Sequence, residues 1–213
     1  MKVVTLGATR GIGRSLARLL AARGDSIHVL GRNAGDVAKC AEDLRARGAA
    51  SVSTGLCDLM SPTDFGPALD AADQSLSGFD TVILSAGIFG TQDELANDRA
   101  RAAAVLTANF TNSVLFCEEA RVRLLARGGG RLAVFSSVAG ERGRKPVVIY
   151  GATKAGLSAY LEGLDSLYRA QGLITTTIKP GFVRTSMTQN LKAPPFAGDP
   201  DDVAKTVLSA ILR

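Results

Sequence analysis

The sequence contains no tryptophan, only one histidine and only three cysteines. A single histidine, His28, excludes a metal site built from several imidazoles, and because it lies in an apolar run we expect it to be a structural residue. The cysteines Cys40, Cys57 and Cys117 are far apart and odd in number, which argues against a paired disulfide framework or a cysteine-rich zinc site. We therefore expect no bound metal and a reducing compartment.

Long apolar runs and clustered basic segments are also missing. No stretch approaches the roughly 20 apolar residues that a membrane-spanning helix requires. The start, MKVVTLGATRG, fits a first buried strand better than a secretory signal, which needs a longer apolar region and a small-residue cleavage site. The formal net charge is +5, but the basic residues are scattered and no aromatic platform accompanies them. We expect a cytoplasmic protein with no membrane span and no nucleic-acid partner.

Glycine, by contrast, is abundant, with 23 residues placed mostly at turns. Short β-branched runs such as KVVTLGA and FDTVILSAG alternate with segments of helical periodicity such as GRSLARLLAARG. Six such strands, separated by helices, predict a mostly parallel sheet with right-handed crossovers and helices on both faces. The expected fold class is therefore α/β, a doubly wound Rossmann fold in one domain over residues 1–213, with a long helix from about Asp93 to Arg127.

A glycine-rich loop, GATRGIG, joins the first strand to the first helix. Its glycines, Gly7, Gly11 and Gly13, permit a tight turn and a close approach of the backbone to a ligand. The free N–H groups and the positive dipole end of the following helix would then bind a phosphate. In this position between strand and helix, the loop predicts a dinucleotide site.

The end of the second strand indicates which dinucleotide is bound. An NAD site has a carboxylate here that accepts the hydrogen bonds of the ribose 2′-hydroxyl. This chain has Gly31 and then Arg32. A guanidinium favours the 2′-phosphate of NADP, and Arg10 in the glycine-rich loop would add a second positive charge. We predict NADP(H) rather than NAD(H) as the cofactor.

Tyr150 and Lys154 are four positions apart in the segment VIYGATKAGLSAY. Residues with this spacing lie on one face of a helix, so a phenol and an ammonium would face the same space. Taken alone, the spacing is common by chance and favours a solvated surface pair. In an active site the pair would be a proton donor and the charge that tunes it, because a neighbouring ammonium lowers the pKa of a phenol from near 10.

Together these motifs resemble the short-chain dehydrogenase/reductase superfamily over nearly the whole chain. The resemblance implies an NADP(H)-dependent oxidoreductase that reduces a ketone or oxidises a secondary alcohol by hydride transfer. It implies the catalytic residues Asn109, Ser137, Tyr150 and Lys154, with Ser137 chosen over Ser136 because the family's serine precedes the tyrosine by 13 positions. The segments that carry the resemblance are GATRGIG, CDL (57–59), LSAG (84–87), TANF (107–110), FSSVAG (135–140), YGATK (150–154) and KPGFVRT (179–185).

The resemblance also implies the residues that contact the cofactor. Asp58 would hold the adenine amino group and Leu59 would line the adenine pocket, while the segment after the sixth strand would surround the nicotinamide. The full set is Gly7, Thr9, Arg10, Gly11, Ile12, Gly13, Arg32, Asp58, Leu59, Ser85, Ala86, Gly87, Tyr150, Lys154, Pro180, Gly181, Val183 and Thr185.

The sequence departs from the family pattern in three places. Leu6 precedes the glycine-rich loop where the family usually has threonine, and LSAG stands where the family has NNAG. The missing side chains brace the loop through hydrogen bonds, so we expect a less rigid loop. Members also add a seventh strand after the last helix, so either the sequence is truncated there or the sheet is shorter.

The substrate end is less well specified. Residues 186–200 are the expected lid, whose apolar residues, such as Phe196, would face an apolar substrate. The segment ERGRKP carries Arg142, Arg144 and Lys145, which either meet an anionic substrate or form a solvated loop. SSVAGERGR, YGATKAGL and KPGFVRTSMT also resemble bacterial reductases of a 2-keto sugar on a polyprenyl-phosphate lipid, so lipid-linked sugar and 3-oxoacyl substrates both stay open.

The alternative function is a non-catalytic NADP-sensing or scaffold protein with the same fold. The four catalytic residues argue against it, because a protein without turnover has no need of all four. The resemblance further implies a homodimer, or a tetramer, assembled through the long helix that carries Asn109 and the helix that carries Tyr150. Both segments are rich in small and apolar residues, more than one buried stripe requires.

Overall fold

Six strands form one sheet in the computed structural model, which describes residues 1–213. They are β1 (Lys2–Leu6), β2 (Ser26–Gly31), β3 (Ser51–Leu56), β4 (Thr81–Leu84), β5 (Gly130–Phe135) and β6 (Leu173–Ile178). Their order is β3-β2-β1-β4-β5-β6, and every neighbouring pair is parallel. The predicted doubly wound α/β fold is confirmed, and the strand order reverses between β1 and β4, where this fold class binds its ligands.

Helices cover both faces of the sheet. One hydrophobic layer packs α1, α2 and α8 on the sheet, and the other packs α3, α6 and α7. Val3 belongs to the first layer and Val4 to the second, and both are fully buried, which explains why β1 is a continuous apolar run. The helices are α1 (Gly11–Ala22), α2 (Ala34–Ala46), α3 (Phe65–Leu76), α4 (Gln92–Asn97), α5 (Arg99–Leu106), α6 (Ser113–Ala126), α7 (Val148–Tyr168) and α8 (Pro200–Ile211).

The single long helix predicted from Asp93 to Arg127 is wrong in detail. Asp98 interrupts it and begins α5, because its carboxylate accepts a hydrogen bond from Arg101 N at 2.9 Å. A π-helical turn, Thr107–Asn112, then separates α5 from α6. Such turns change the direction of the following side chains and are frequent at functional sites.

Several large apolar side chains of α5, α6 and α7 lie on the surface rather than in the core. They are between 40% and 63% exposed, and those between residues 106 and 122 belong to one continuous stretch of chain. No helix of the protein is long and apolar enough to cross a bilayer. The exposed residues are Leu106 of α5, Phe110 of the π-helical turn, Leu115 and Val122 of α6, and Val148 and Leu167 of α7.

Candidate active site

The glycine-rich loop after β1 has no room for side chains at two of its glycines. Gly7 has a φ of +113°, and a Cβ there would collide with Ala86 N and Ser85 Oγ. A Cβ at Gly13 would collide with Ser85 Oγ and with the carbonyl of Gly7. The loop therefore lies flat against the segment after β4, and the N-terminal end of α1 stays open for a phosphate.

Ser85 braces this loop in place of the side chains that the family pattern would supply. Its N–H donates to Leu6 O at 2.9 Å, and Ala86 N donates to the same oxygen at 3.0 Å. The Ser85 hydroxyl also points to Leu6 O, at 3.5 Å. Backbone hydrogen bonds and one hydroxyl thus hold the loop here, and the lower rigidity expected from Leu6 and from the LSAG segment stays a prediction.

The end that would bind the adenosine is lined by cations and one acid. Arg32 is exposed and makes no ion pair, whereas Arg10 NH2 lies 3.1 Å from Asp36 Oδ2. The sequence prediction missed Asp36, whose backbone N–H is bound by the Asn33 side chain at the start of α2. A small cavity of about 140 Å³ lies here between α1 and α2, lined by Thr9, Arg10, Arg14, Asp36, Lys39 and Cys40.

Asp58 and Leu59, predicted for the adenine pocket, lie in the loop after β3. Leu59 is 7% exposed, and its carbonyl accepts a hydrogen bond from Asn112 Nδ2 at 2.8 Å. The Asp58 carboxylate accepts a hydrogen bond from Met60 N at 2.9 Å, so its loop is ordered by its own side chain. Arg32 and Asp58 are thus at the β2–β3 end of the crevice, away from the catalytic side chains.

Asn109 is fully buried in the π-helical turn between α5 and α6. Its Oδ1 accepts a hydrogen bond from Ile88 N at 2.8 Å, and its Nδ2 donates to Ile88 O at 2.6 Å. These two bonds hold the segment after β4 as a neighbouring strand would. A Cβ at Gly87 would lie 3.0 Å from Asn109 Oδ1, so the glycine permits this contact.

Ser137 and Tyr150 meet at the end of β5, as the motif spacing predicted. Ser137 Oγ accepts a hydrogen bond from Ala139 N at 3.1 Å and lies near the Tyr150 hydroxyl without completing a direct hydrogen bond. Ser136 has a structural role instead, because its buried hydroxyl bonds Lys154 O at 2.9 Å and Ser158 Oγ at 2.7 Å. The structure thus brings Ser137, and not Ser136, to the Tyr150 hydroxyl.

Lys154 lies one helical turn after Tyr150 and is only 5% exposed. Its Nζ donates to Phe135 O at 2.8 Å and lies 5.9 Å from the centre of the Tyr150 ring. The ring of Phe89 packs edge-on against that of Tyr150, with centroids 5.0 Å apart. The phenol is thus held between an aromatic wall and a buried ammonium.

The pKa values in this cluster differ from the sequence expectation. Burial raises the pKa of Tyr150, and the nearby Ser137 hydroxyl opposes this only in part. Burial also lowers the pKa of Lys154 to about 8. The expected lowering of the phenol pKa by the lysine is absent, because Nζ is directed to the Phe135 carbonyl and desolvation of the hydroxyl dominates.

The segment after β6 closes the crevice against the other loops. Pro180 O accepts a hydrogen bond from Val138 N at 3.1 Å, which joins this segment to the one after β5. Val183 is 5% exposed, while Gly181 is exposed. A Cβ at Gly11 would lie 3.3 Å from Thr185 Cγ2, so Thr185 reaches the glycine-rich loop. The predicted residues therefore lie along the carboxyl edge of the sheet, in the segments that follow its strands.

Comparison with known proteins identifies relatives of this chain. An uncharacterised oxidoreductase of Mycobacterium tuberculosis is 33% identical over 211 residues, covering 99% of this chain and 84% of that protein. Carbonyl reductase family member 4 of Xenopus laevis is 27% identical over 210 residues, covering 95% of this chain and 87% of that protein. A crystal structure of an actinorhodin polyketide ketoreductase with NADPH shares the fold, with a TM-score of 0.88 at 22% identity, covering 98% of this chain and 89% of the other. The family model described as short chain dehydrogenase matches residues 1–195, and the chain belongs to this family of oxidoreductases.

Proposed function

We propose that the protein is an NADP(H)-dependent oxidoreductase that reduces a ketone, or oxidises a secondary alcohol, with Tyr150 as the proton donor. The observation that carries this proposal is the meeting of the Ser137 hydroxyl, the Tyr150 phenol and the buried Lys154 ammonium at the end of β5. A carbonyl group at this point would have two hydroxyl donors beside it and a cation one turn away.

Each side chain has a distinct part in the proposed reaction. NADPH, when bound, supplies the hydride that reduces the carbonyl carbon. The negative charge that develops on the carbonyl oxygen requires a proton, which Tyr150 donates, while Ser137 donates a hydrogen bond to the same oxygen. Lys154, whose pKa of about 8 leaves it mostly charged at neutral pH, stabilises the phenolate that remains once its Nζ turns from Phe135 O towards the hydroxyl. Asn109 positions the segment after β4 through its two bonds to Ile88.

Three features of the crevice support NADP(H) as the cofactor. The tight glycine-rich loop leaves the start of α1 open for a pyrophosphate. Arg32 is exposed and unpaired where a ribose 2′-phosphate would lie. Arg10 is near the same place, and its ion pair with Asp36 is exposed and therefore weak. The remaining predicted residues, from Asp58 to Thr185, would hold the adenine and nicotinamide ends.

The decisive experiment follows NADPH oxidation with a panel of ketones and compares Tyr150→Phe with the unmodified protein. The substitution keeps the ring and removes the proton, so turnover should fall by about 100-fold or more, while NADPH affinity stays nearly unchanged. Tyr160→Phe is the matched control, because the Tyr160 hydroxyl bonds Glu118 at 2.7 Å on α6 and should not affect turnover. If Tyr150→Phe keeps most of the rate, the proton donor is another group.

The same experiment separates this proposal from the alternative of an NADP-sensing protein. The resting geometry leaves room for that alternative, since the Lys154 ammonium bonds a backbone carbonyl rather than the phenol. A sensor would bind NADPH and leave every ketone of the panel unreduced. An enzyme would reduce at least one of them at a rate that depends on Tyr150.

A further inference from the structure

Two loops beside the candidate active site hold most of the net charge of the protein. The β5 loop, residues 136–147, has three cations and one acid, and the β6 loop, residues 179–199, has three cations and one acid, Asp199, at the start of α8. The chain has 25 Lys and Arg and 20 Asp and Glu, so 19 cations and 18 acids remain outside these loops. The rest of the protein therefore carries a formal charge of only +1, and +4 of the total charge of +5 is concentrated here.

The cations of the β5 loop have no partners within the protein. The one acid of the loop, Glu141, is already paired with Lys179 of the β6 loop, at 2.9 Å. Arg142, Arg144 and Lys145 are exposed and take part in no ion pair or side-chain hydrogen bond. Because like charges this close repel one another, these three cations do not stabilise the folded protein. An anion bound between them would relieve the repulsion.

This charge lies on the substrate side of the crevice. The β5 loop begins with the serines that follow β5 and ends at the start of α7, two residues before Tyr150. Its cations therefore lie between Ser137 and Tyr150 in the sequence. The proposed contacts for the cofactor phosphates follow β1 and β2, and β4 separates these strands from β5 in the sheet. An anion that reaches the β5 loop is therefore separate from those of the cofactor.

We propose that the substrate is a ketone that carries a phosphate-bearing group away from its keto carbon, and that Arg142, Arg144 and Lys145 bind this group. The inference rests on the proposed function, because it assigns the substrate class of the same site. Guanidinium groups bind phosphate through paired N–H donors, and a lysine adds a compact charge. Arg184 and Lys192 of the β6 loop, also exposed and unpaired, extend the positive field across the opening.

The test compares two thioesters that share the same keto group. Acetoacetyl-coenzyme A carries phosphates, and acetoacetyl-N-acetylcysteamine carries none. Binding is measured by calorimetry on protein saturated with NADP⁺, which has no hydride to give and which fills the cofactor's own phosphate sites. The coenzyme A thioester should bind about ten-fold or more tightly than the uncharged one at low salt, and the difference should shrink as salt is added.

The triple variant R142Q/R144Q/K145Q should lose most of this difference, with turnover of the uncharged thioester and NADPH affinity unchanged. The control variant R169Q/K205Q/R213Q removes the same charge outside the two loops and should keep the difference. Equal binding of the two thioesters, no binding of the coenzyme A thioester, or the same loss in both variants overturns the proposal. A sedimentation assay with phosphatidylglycerol vesicles tests the loop as a membrane-binding surface. The proposal is also overturned if the triple variant loses only its binding to these vesicles. If the binding pattern holds but no ketone is reduced, the proposed function fails and the phosphate site stands.

Discussion

Lys154 should lower the stability of the protein while it serves the proposed reaction. Burial lowers its pKa from 10.5 to about 8, which corresponds to about 3 kcal/mol of cost to the charged form in the folded protein. At pH 7 this cost is present in full. Lys154→Met removes the charge and keeps a stem of similar size, but it leaves Phe135 O without its donor, at a cost of about 1 kcal/mol. We expect the variant without cofactor to be more stable at pH 7 by about 2 kcal/mol, or about 5 °C in Tm.

The pH dependence has a definite sign. Between pH 8 and 10.5 the unfolded chain binds the Lys154 proton more tightly than the folded protein does, so the contribution of this group to stability rises with pH. The advantage of Lys154→Met should therefore be greatest below pH 8 and disappear towards pH 10.5. Urea unfolding at several pH values from 7 to 10 measures it. Tyr150→Phe is the control, because it retains the lysine and should keep the pH dependence of the unmodified protein.

Saturating NADPH should reverse the order of stability at pH 7. If Lys154 also contacts the bound cofactor, NADPH will raise the Tm of the unmodified protein by more than that of Lys154→Met. The reasoning is refuted if the variant without cofactor is less stable at pH 7, or if the difference between the two proteins does not change from pH 7 to 10.

Three further predictions concern other parts of the molecule. Burial lowers the pKa of His28 from 6.5 to about 4, so the unfolded chain takes up this proton first and stability should fall by up to about 3 kcal/mol from pH 6.5 to 4. In urea unfolding, His28→Leu should remove most of the dependence of stability on pH between 6.5 and 4, and an unchanged pH dependence would contradict the lowered pKa of His28. NADPH should bind more tightly than NADH, and Arg32→Ala should reduce the ratio of the two Kd values about ten-fold; equal affinities in the unmodified protein would count against NADP. The protein should be a dimer through α5–α7 by light scattering at micromolar concentration, and Leu115→Glu should yield monomers because Leu115 is 44% exposed on that surface. A monomeric mass for the unmodified protein would rule this out.

The alternation of short β-branched runs with helical segments was sufficient to predict the fold class and all six strands. These signals are local, because side-chain periodicity and glycine turns act within a few residues. The motifs are also local signals. GATRGIG indicates a phosphate site only because it follows β1, and YGATK places its tyrosine and lysine on one face only because it lies in a helix. Strand order then places the ends of β1, β4, β5 and β6 side by side, and so brings residues as distant as Gly11 and Thr185 into one crevice.

What the sequence did not reveal depends on contacts between distant segments. The stretch around Asn109 has ordinary helical periodicity, so the sequence did not reveal the π-helical turn. In the structure this turn coincides with the hydrogen bond from the Asn109 amide to Ile88 O, a residue of a distant segment. Asp36 is 26 residues from Arg10, and the bond from Lys154 to Phe135 O spans 19 residues. The sequence by itself determined the six strands and the motif residues that could share a site. The tertiary structure decided their partners, burial and pKa values, because desolvation and long-range hydrogen bonds exist only once the layers pack on the sheet.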